Sequence, residues 1–117
     1  MTDRDEWISF DEYQKETRRT AGDIGGIQGL TLGAMGLAGE AGEVVDLLKK
    51  HIFHRHPLDC AKLADELGDV LWYLARLADE IGCPLSMVAK GNVAKLRKRY
   101  PDGFDPERSK SRTGEVA

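Results

Sequence analysis

Two long stretches of this chain carry apolar residues at spacings of three and four, and each has a pair of carboxylates on its flank. The first seam runs through Leu30, Ala34, Leu37, Ala41, Val44, Leu48 and Ile52, with Glu40 and Glu43 beside it. The second runs through Leu63, Leu67, Val70, Leu74, Leu77 and Ile81, with Glu66 and Asp69 beside it. Such spacing is one face of an α-helix, so the chain is constrained to bury helix against helix. Acids three apart share a helical face. From Glu43 the chain runs about ten residues, roughly 15 Å at the helical rise, to a turn near His54 to Pro57, and about nine residues back to Glu66. Two antiparallel helices therefore bring Glu40, Glu43, Glu66 and Asp69 to one level. Four carboxylates held together repel one another. A bound hard cation is the physical remedy, and oxygen-only donors suit Mg²⁺, with Mn²⁺ as the alternative. A solvated acidic face is the ordinary reading of charged helix residues. It is outweighed here because both acid pairs border apolar seams, where charge without a counter-ion is costly. Asp46 and Asp65 fall on helical neighbours of these clusters and serve equally well as exposed or orienting groups.

The remaining punctuation makes four helices. Ser9 followed by Glu12 reads as a capping box, opening a first helix that ends at Gly22 with Phe10, Tyr13 and Ala21 as its apolar positions. Asp23 to Gly29 is a glycine-rich connector, the second helix spans about Thr31 to His54, and the third starts at Pro57 and runs to Gly82. Pro84 opens a fourth helix, carrying Leu85, Val88, Val93 and Leu96, that stops before Pro101. The chain thus divides into one domain over 1–104 and a loosely held polar tail over 105–117. Gly33, Gly36, Gly39 and Gly42 recur every third residue in the second helix, although each costs about 1 kcal/mol of helix propensity relative to Ala. Two readings fit: close approach of a neighbouring helix, within the subunit or across an oligomer interface, and room beside the acids for metal and phosphate.

Composition narrows the function. With 117 residues, 41% of them hydrophobic, there is one modest core and no room for a second domain. The net charge is −3, and the 17 basic residues are dispersed except near Lys95 to Arg99, so no basic surface offers itself to a nucleic-acid polymer. No apolar run approaches the roughly 20 residues that span a bilayer. The start, Met1 to Ser9, is acidic and polar where a signal peptide would be basic and then apolar. A cytoplasmic protein without membrane partners is expected, and Cys60 and Cys83 are read as reduced packing residues.

At the acidic motifs the sequence resembles a known family. Gly36-Leu37-Ala38-Gly39-Glu40-Ala41-Gly42-Glu43, then Asp65-Glu66-Leu67-Gly68-Asp69-Val70-Leu71-Trp72-Tyr73, then Asn92 to Lys95 with Arg99-Tyr100 are similar to the MazG nucleotide pyrophosphohydrolases. These belong to the all-α NTP pyrophosphatase superfamily, with the all-α dUTPases and phosphoribosyl-ATP pyrophosphohydrolase. The resemblance covers about residues 10–104. It implies an all-α, four-helix MazG-like bundle completed by assembly into dimers or tetramers. The implied reaction is hydrolysis of the α–β phosphoanhydride of a nucleoside triphosphate to the monophosphate and pyrophosphate, in nucleotide-pool housecleaning. By motif match, Glu40, Glu43, Glu66 and Asp69 take the metal-ligand and catalytic positions, and Asn92 and Lys95 the downstream polar positions.

The residues suit that chemistry. A triphosphate is strongly anionic, so acidic residues approach it only through bridging cations, which also act as Lewis acids. Pyrophosphate leaving an in-line displacement needs cationic donors in place. Lys95 and Arg99, four apart on one helical face, can supply them, with Lys49 and Lys50 as second choices. Trp72, three residues beyond Asp69, stacks on a base or packs in the core; Trp7 and Phe10 close the pocket or staple the first helix. His51, His54, His56 and Cys60 have no spacing that closes a zinc site. A di-iron carboxylate bundle would need Glu-x-x-His on two helices, and no Glu here has a His three residues later. A helical interaction module could share the length and seams but has no need of paired acids beside them. Within the enzyme class, phosphoribosyl-ATP hydrolysis and a dUTPase-like activity are the alternatives.

Overall fold

The computed structural model describes residues 7–111 and, among them, is helical without a β-strand. The helices are α1 (Phe10–Thr17), α2 (Gly26–Phe53), α3 (Cys60–Glu80), α4 (Leu85–Arg99) and α5 (Pro106–Ser111), with a 3-10 turn, Arg18–Thr20, after α1. No helix among the described residues is long and apolar enough to cross a membrane. Residues 1–6 of the acidic start and 112–117 of the expected tail lie outside the described residues.

Cap chemistry explains where the observed ends depart from the expected ones. Ser9 caps α1 as anticipated, its Oγ accepting from the Glu12 N–H at 3.1 Å. The α-helix stops early, at Thr17, whose hydroxyl donates to the Gln14 carbonyl at 2.6 Å as the chain tightens into the 3-10 turn. α2 begins at Gly26, ahead of the expected Thr31. Gly26 adopts φ +63°, which a glycine tolerates, and its N–H donates to the Glu80 carboxylate at 3.0 Å in place of a cap. α3 begins at Cys60 and not Pro57, because the Asp59 carboxylate accepts from the Lys62 N–H at 3.0 Å. It ends in a Schellman turn: Gly82 takes φ +68°, the Cys83 N–H reaches the Ala78 carbonyl at 2.9 Å and the Gly82 N–H reaches Asp79 at 3.0 Å. The start of the polar tail is helical in α5, tied back by the Arg108 Nε donating to the Arg99 carbonyl at 2.7 Å.

α2 and α3 form an antiparallel pair that holds most of the tertiary contact. Their axes approach closely where glycine removes a side chain. A Cβ on Gly33 would lie 2.8 Å from the Leu77 side chain, and one on Gly36 would overlap the Tyr73 ring. Gly39 and Gly42, further along the same stripe, meet nothing within 4 Å. The close-approach reading therefore holds within the subunit for the first half of the stripe.

α1 packs across α3 and the start of α4 through polar side chains. Its buried positions are Gln14 and Thr17, while Phe10 is exposed. Gln14 replaces missing backbone partners at the α3–α4 turn: its Nε2 donates to the Cys83 carbonyl at 3.0 Å and its Oε1 accepts from the Leu85 N–H at 2.8 Å. Arg18 bonds Asp79 in a two-pronged pair at 2.7 and 2.9 Å, and Arg76 reaches the same carboxylate at 2.8 Å. Asp11 accepts from both the N–H and the hydroxyl of Ser86, which fixes the start of α4. The buried hydrophobic set is small, Ala75, Ala78 and Leu85, with Tyr13 and Leu71 packed against it. Much of each seam therefore stays exposed, including Leu48 and Ile52 of α2 and Leu67, Leu74 and Ile81 of α3.

Gly36→Ala should lower the melting temperature, since overpacking against Tyr73 costs about 1–3 kcal/mol. Gly39→Ala should raise it, by about 1 kcal/mol of recovered helix propensity. Thermal denaturation of the two variants checks this, and equal shifts would contradict it. The two arginines hold the Asp79 carboxyl below its usual range, led by the Arg18 hydrogen bonds. A depressed carboxylate contributes stability that is present above the unfolded-state value and is lost as pH falls through the folded-state one. Asp79→Asn should thus destabilise at neutral pH and flatten the acid side of a melting-temperature profile.

Candidate active site

The α2–α3 register that sets Gly33 on Leu77 and Gly36 on Tyr73 carries Glu40, one turn further along α2, to the Glu66–Asp69 face of α3. One carboxylate oxygen from each of Glu40, Glu66 and Asp69 lies within 4.8 Å of the others, and no other such donor group gathers among the described residues. Glu40 and Glu66 are half-buried and Asp69 is exposed. The Glu40 carboxyl is pushed above its usual range, first by burial, then by the Asp69 charge, a hydrogen bond with Glu66, and the charges of Glu66 and Glu43. Three converging oxygen donors with mutual repulsion fit a hard divalent cation.

Glu43 stands outside this group. It is exposed one turn beyond Glu40, close enough to add its charge to Glu40 and to raise the Lys50 ammonium together with Asp46. Asp46 is committed to Lys50 at 2.8 Å and Lys49 at 3.4 Å, and Asp65 is an exposed residue of α3. The histidines do not gather either: the His51 ring meets the His56 carbonyl at 2.8 Å, stabilising the α2–α3 turn.

Trp72 faces the connector between α1 and α2. Its indole N–H donates to the Thr20 hydroxyl at 3.0 Å and its ring meets Tyr73 edge to face, with centroids 5.0 Å apart. With Ile24, Gly29, Gly33, Arg76 and Glu80 it lines a slot of about 30 Å³, the share of one water, so a base enters only if the connector moves. Asn92 and Lys95 are exposed on α4, which packs on α1 and α3, and neither side chain has a hydrogen bond or ion pair among the described residues. Arg99 is half-buried at the end of the same helix.

Tyr13 is the residue that sequence reasoning passed over as a site group. Its phenol is raised first by burial and then by the Asp69 charge, and its ring packs against the buried cluster of Ala75, Ala78 and Leu85. Nothing in the spacing of α1 distinguishes such a residue from an ordinary packing aromatic.

The acid-lined groove between two antiparallel helices offers the oxygen donors that a carboxylate-bound cation needs. Residues 28–104 match the MazG nucleotide pyrophosphohydrolase domain, a span that contains the acidic residues of both motifs, Trp72 and the polar positions of α4. The chain belongs to the MazG nucleotide pyrophosphohydrolase family. It is similar to the "Gene 37 protein" of Mycobacterium phage L5, with 40% identity over an alignment of 87 residues that covers 71% of this chain and 76% of that protein. No solved structure matches the chain.

Removing one charge from the cluster should relieve repulsion. Glu40→Gln or Asp69→Asn is expected to melt higher than the parent without metal, and to lose the rise in melting temperature that Mg²⁺ or Mn²⁺ gives the parent. A parent indifferent to both cations would remove the metal assignment.

Proposed function

We propose that the protein is a Mg²⁺-dependent nucleoside triphosphate pyrophosphohydrolase, with Mn²⁺ as a substitute, cleaving the α–β phosphoanhydride to nucleoside monophosphate and pyrophosphate. The observation that carries this reading is the convergence of Glu40, Glu66 and Asp69 inside the matched domain. Those three residues would hold the cation, and Glu43 completes the acidic set from one turn further along α2. A divalent cation bound there neutralises phosphate charge and makes water more acidic. Glu40 and Glu66 are half-buried, and that burial and the charges of the neighbouring carboxylates raise the Glu40 carboxyl. Trp72 presents an aromatic face for a base once the connector opens.

Asn92, Lys95 and Arg99 belong to this reading as phosphate contacts delivered by assembly. Met87, Val88, Val93 and Leu96 are exposed apolar side chains on the helix that bears them. A symmetric homodimer or homotetramer would cover that face and bring a neighbouring copy's α4 toward the groove. Both cysteines are free thiols, which suits a cytoplasmic protein acting on the nucleotide pool.

The test is a panel of canonical NTPs and dNTPs, dUTP, modified nucleotides and phosphoribosyl-ATP, read by separation of monophosphate and pyrophosphate. Glu43→Gln and Asp69→Asn should abolish turnover while the fold is kept. Lys95→Ala should lower kcat/KM by a similar factor for every nucleotide, and Trp72→Ala should reorder the ranking, with a stacking loss of about 1 kcal/mol. Full activity of Asp69→Asn at saturating Mg²⁺ would refute the site, and cleavage confined to phosphoribosyl-ATP would refute the substrate class.

A further inference from the structure

Three glycines of the connector surround one side chain, Glu80 of α3. A Cβ on Gly29 would lie 2.9 Å from its carboxylate and one on Gly25 3.8 Å from it, while the Gly26 N–H donates to its Oε2 at 3.0 Å. That is the sole hydrogen bond Glu80 receives among the described residues, and no cation there pairs with it. Arg76, one turn back along α3, is committed to Asp79 at 2.8 Å and Thr17 at 3.3 Å. A half-buried carboxylate is thus left with one oxygen unpartnered, although groups of this kind ordinarily accept several donors.

Glu80 also lines the slot that Trp72 faces. Trp72, Arg76 and Glu80 follow one another at intervals of four along α3, so about 12 Å of helical rise separates the first from the last, and a ring seated on Trp72 turns its far edge toward the carboxylate. On the other side Ile24 closes the slot. It is 52% exposed and sits between two glycines in the left-handed region, Gly22 at φ +72° and Gly26 at φ +63°, which let a short loop change its path. The chain before this loop is tied down, with Thr20 bonded to the Trp72 indole at 3.0 Å and Arg18 to Asp79 at 2.7 Å. Lifting Ile24 therefore leaves α1 in place, widens a slot that now holds about 30 Å³, and takes the Gly26 N–H away from Glu80.

We infer that Glu80 determines which base is accepted, its carboxylate receiving the Watson–Crick edge of a guanine that stacks on Trp72 once Ile24 lifts. The inference rests on the proposed pyrophosphohydrolase activity and adds the class of base. An ionised carboxylate only accepts, and its two oxygens lie side by side, so its complement is a pair of adjacent N–H donors. Among the ordinary bases guanine alone offers such a pair, at N1 and the 2-amino group. Adenine and cytosine present one amino group beside an acceptor nitrogen, and uracil and thymine present one N–H between two carbonyls that face the carboxylate's charge. Opening removes one N–H from Glu80, and only a base that brings two donors more than offsets the loss.

Affinity for deoxynucleoside monophosphates, measured by titration calorimetry with Mg²⁺ present, tests this without turnover. The parent should bind dGMP about tenfold or more tightly than dIMP, which lacks only the 2-amino group, and more tightly than dAMP or dCMP, as expected for a hydrogen bond to a charged acceptor. Glu80→Gln keeps one oxygen for the Gly26 N–H, so its melting temperature should match the parent. It turns the other acceptor into a donor, and the ratio of dGMP to dIMP affinity should fall close to one, chiefly through weaker dGMP. The ratio of kcat/KM for dGTP and dITP should fall with it. A Glu80→Gln protein in which all monophosphates shift alike would make Glu80 a cap for α2 and overturn the inference. So would a parent that hydrolyses triphosphates but binds dGMP and dIMP equally, or prefers a pyrimidine, and either result leaves the activity standing; this arm needs no variant to fold. A parent that neither cleaves any nucleotide nor binds any monophosphate would overturn both.

Discussion

The close contact of α2 and α3 at Gly33 and Gly36 is the constraint on which the rest of this structure depends. A helix that carries a glycine every third residue gives up propensity, and here the return is geometric: Leu77 and the Tyr73 ring occupy the volume that two Cβ atoms would fill. That interlock fixes the register of the antiparallel pair. One turn further along, the register decides that Glu40 faces Glu66 and Asp69, and nearly three turns beyond that it sets Lys50 near Lys62. A slip of one residue would rotate the acids off the shared face.

The same contact concentrates unfavourable charge. Glu40 is held partly out of water against two other carboxylates, and its raised pKa records the penalty. The subunit offsets little of it, since the arginines of the α1–α3 contact are committed to Asp79 and the lysines of α2 to Asp46. What remains is a groove that is acidic in the middle, cationic toward the α2–α3 turn and aromatic toward the α1–α2 connector.

α1 and α4 attach to this pair in an unusual way. Their anchorage is polar, through Gln14, Asp11, Arg18 and Arg76, and few large apolar side chains are buried anywhere among the described residues. The exposed apolar side chains of α2, α3 and α4 are the observation on which the proposed symmetric oligomer rests.

The helical class and the meeting of Glu40 with Glu66 and Asp69 were legible in the sequence, because the spacing of Leu, Val and Glu residues encodes a helical face directly and a short turn between two such faces forces them together. The family was legible for the same reason, since its motifs are those faces. Helix ends were legible where a local signal declared them, as at Ser9, Gly82 and the prolines that bound α4, and not at Gly26, whose N–H is satisfied by Glu80 from another helix. Glu43 parted from the other three acids because a helical repeat of 3.6 carries a residue three positions on part-way round the axis, and only the packing angle with α3 decides whether it still faces the partner. Tyr13 packed against Ala75, Ala78 and Leu85, Gln14 clamping the α3–α4 turn and Lys62 beside Lys50 near the α2–α3 turn were decided by tertiary structure alone. Each acts on residues more than forty positions away or on another helix's face, or takes its meaning from which neighbouring cations are already paired, and no local pattern in a chain records those facts.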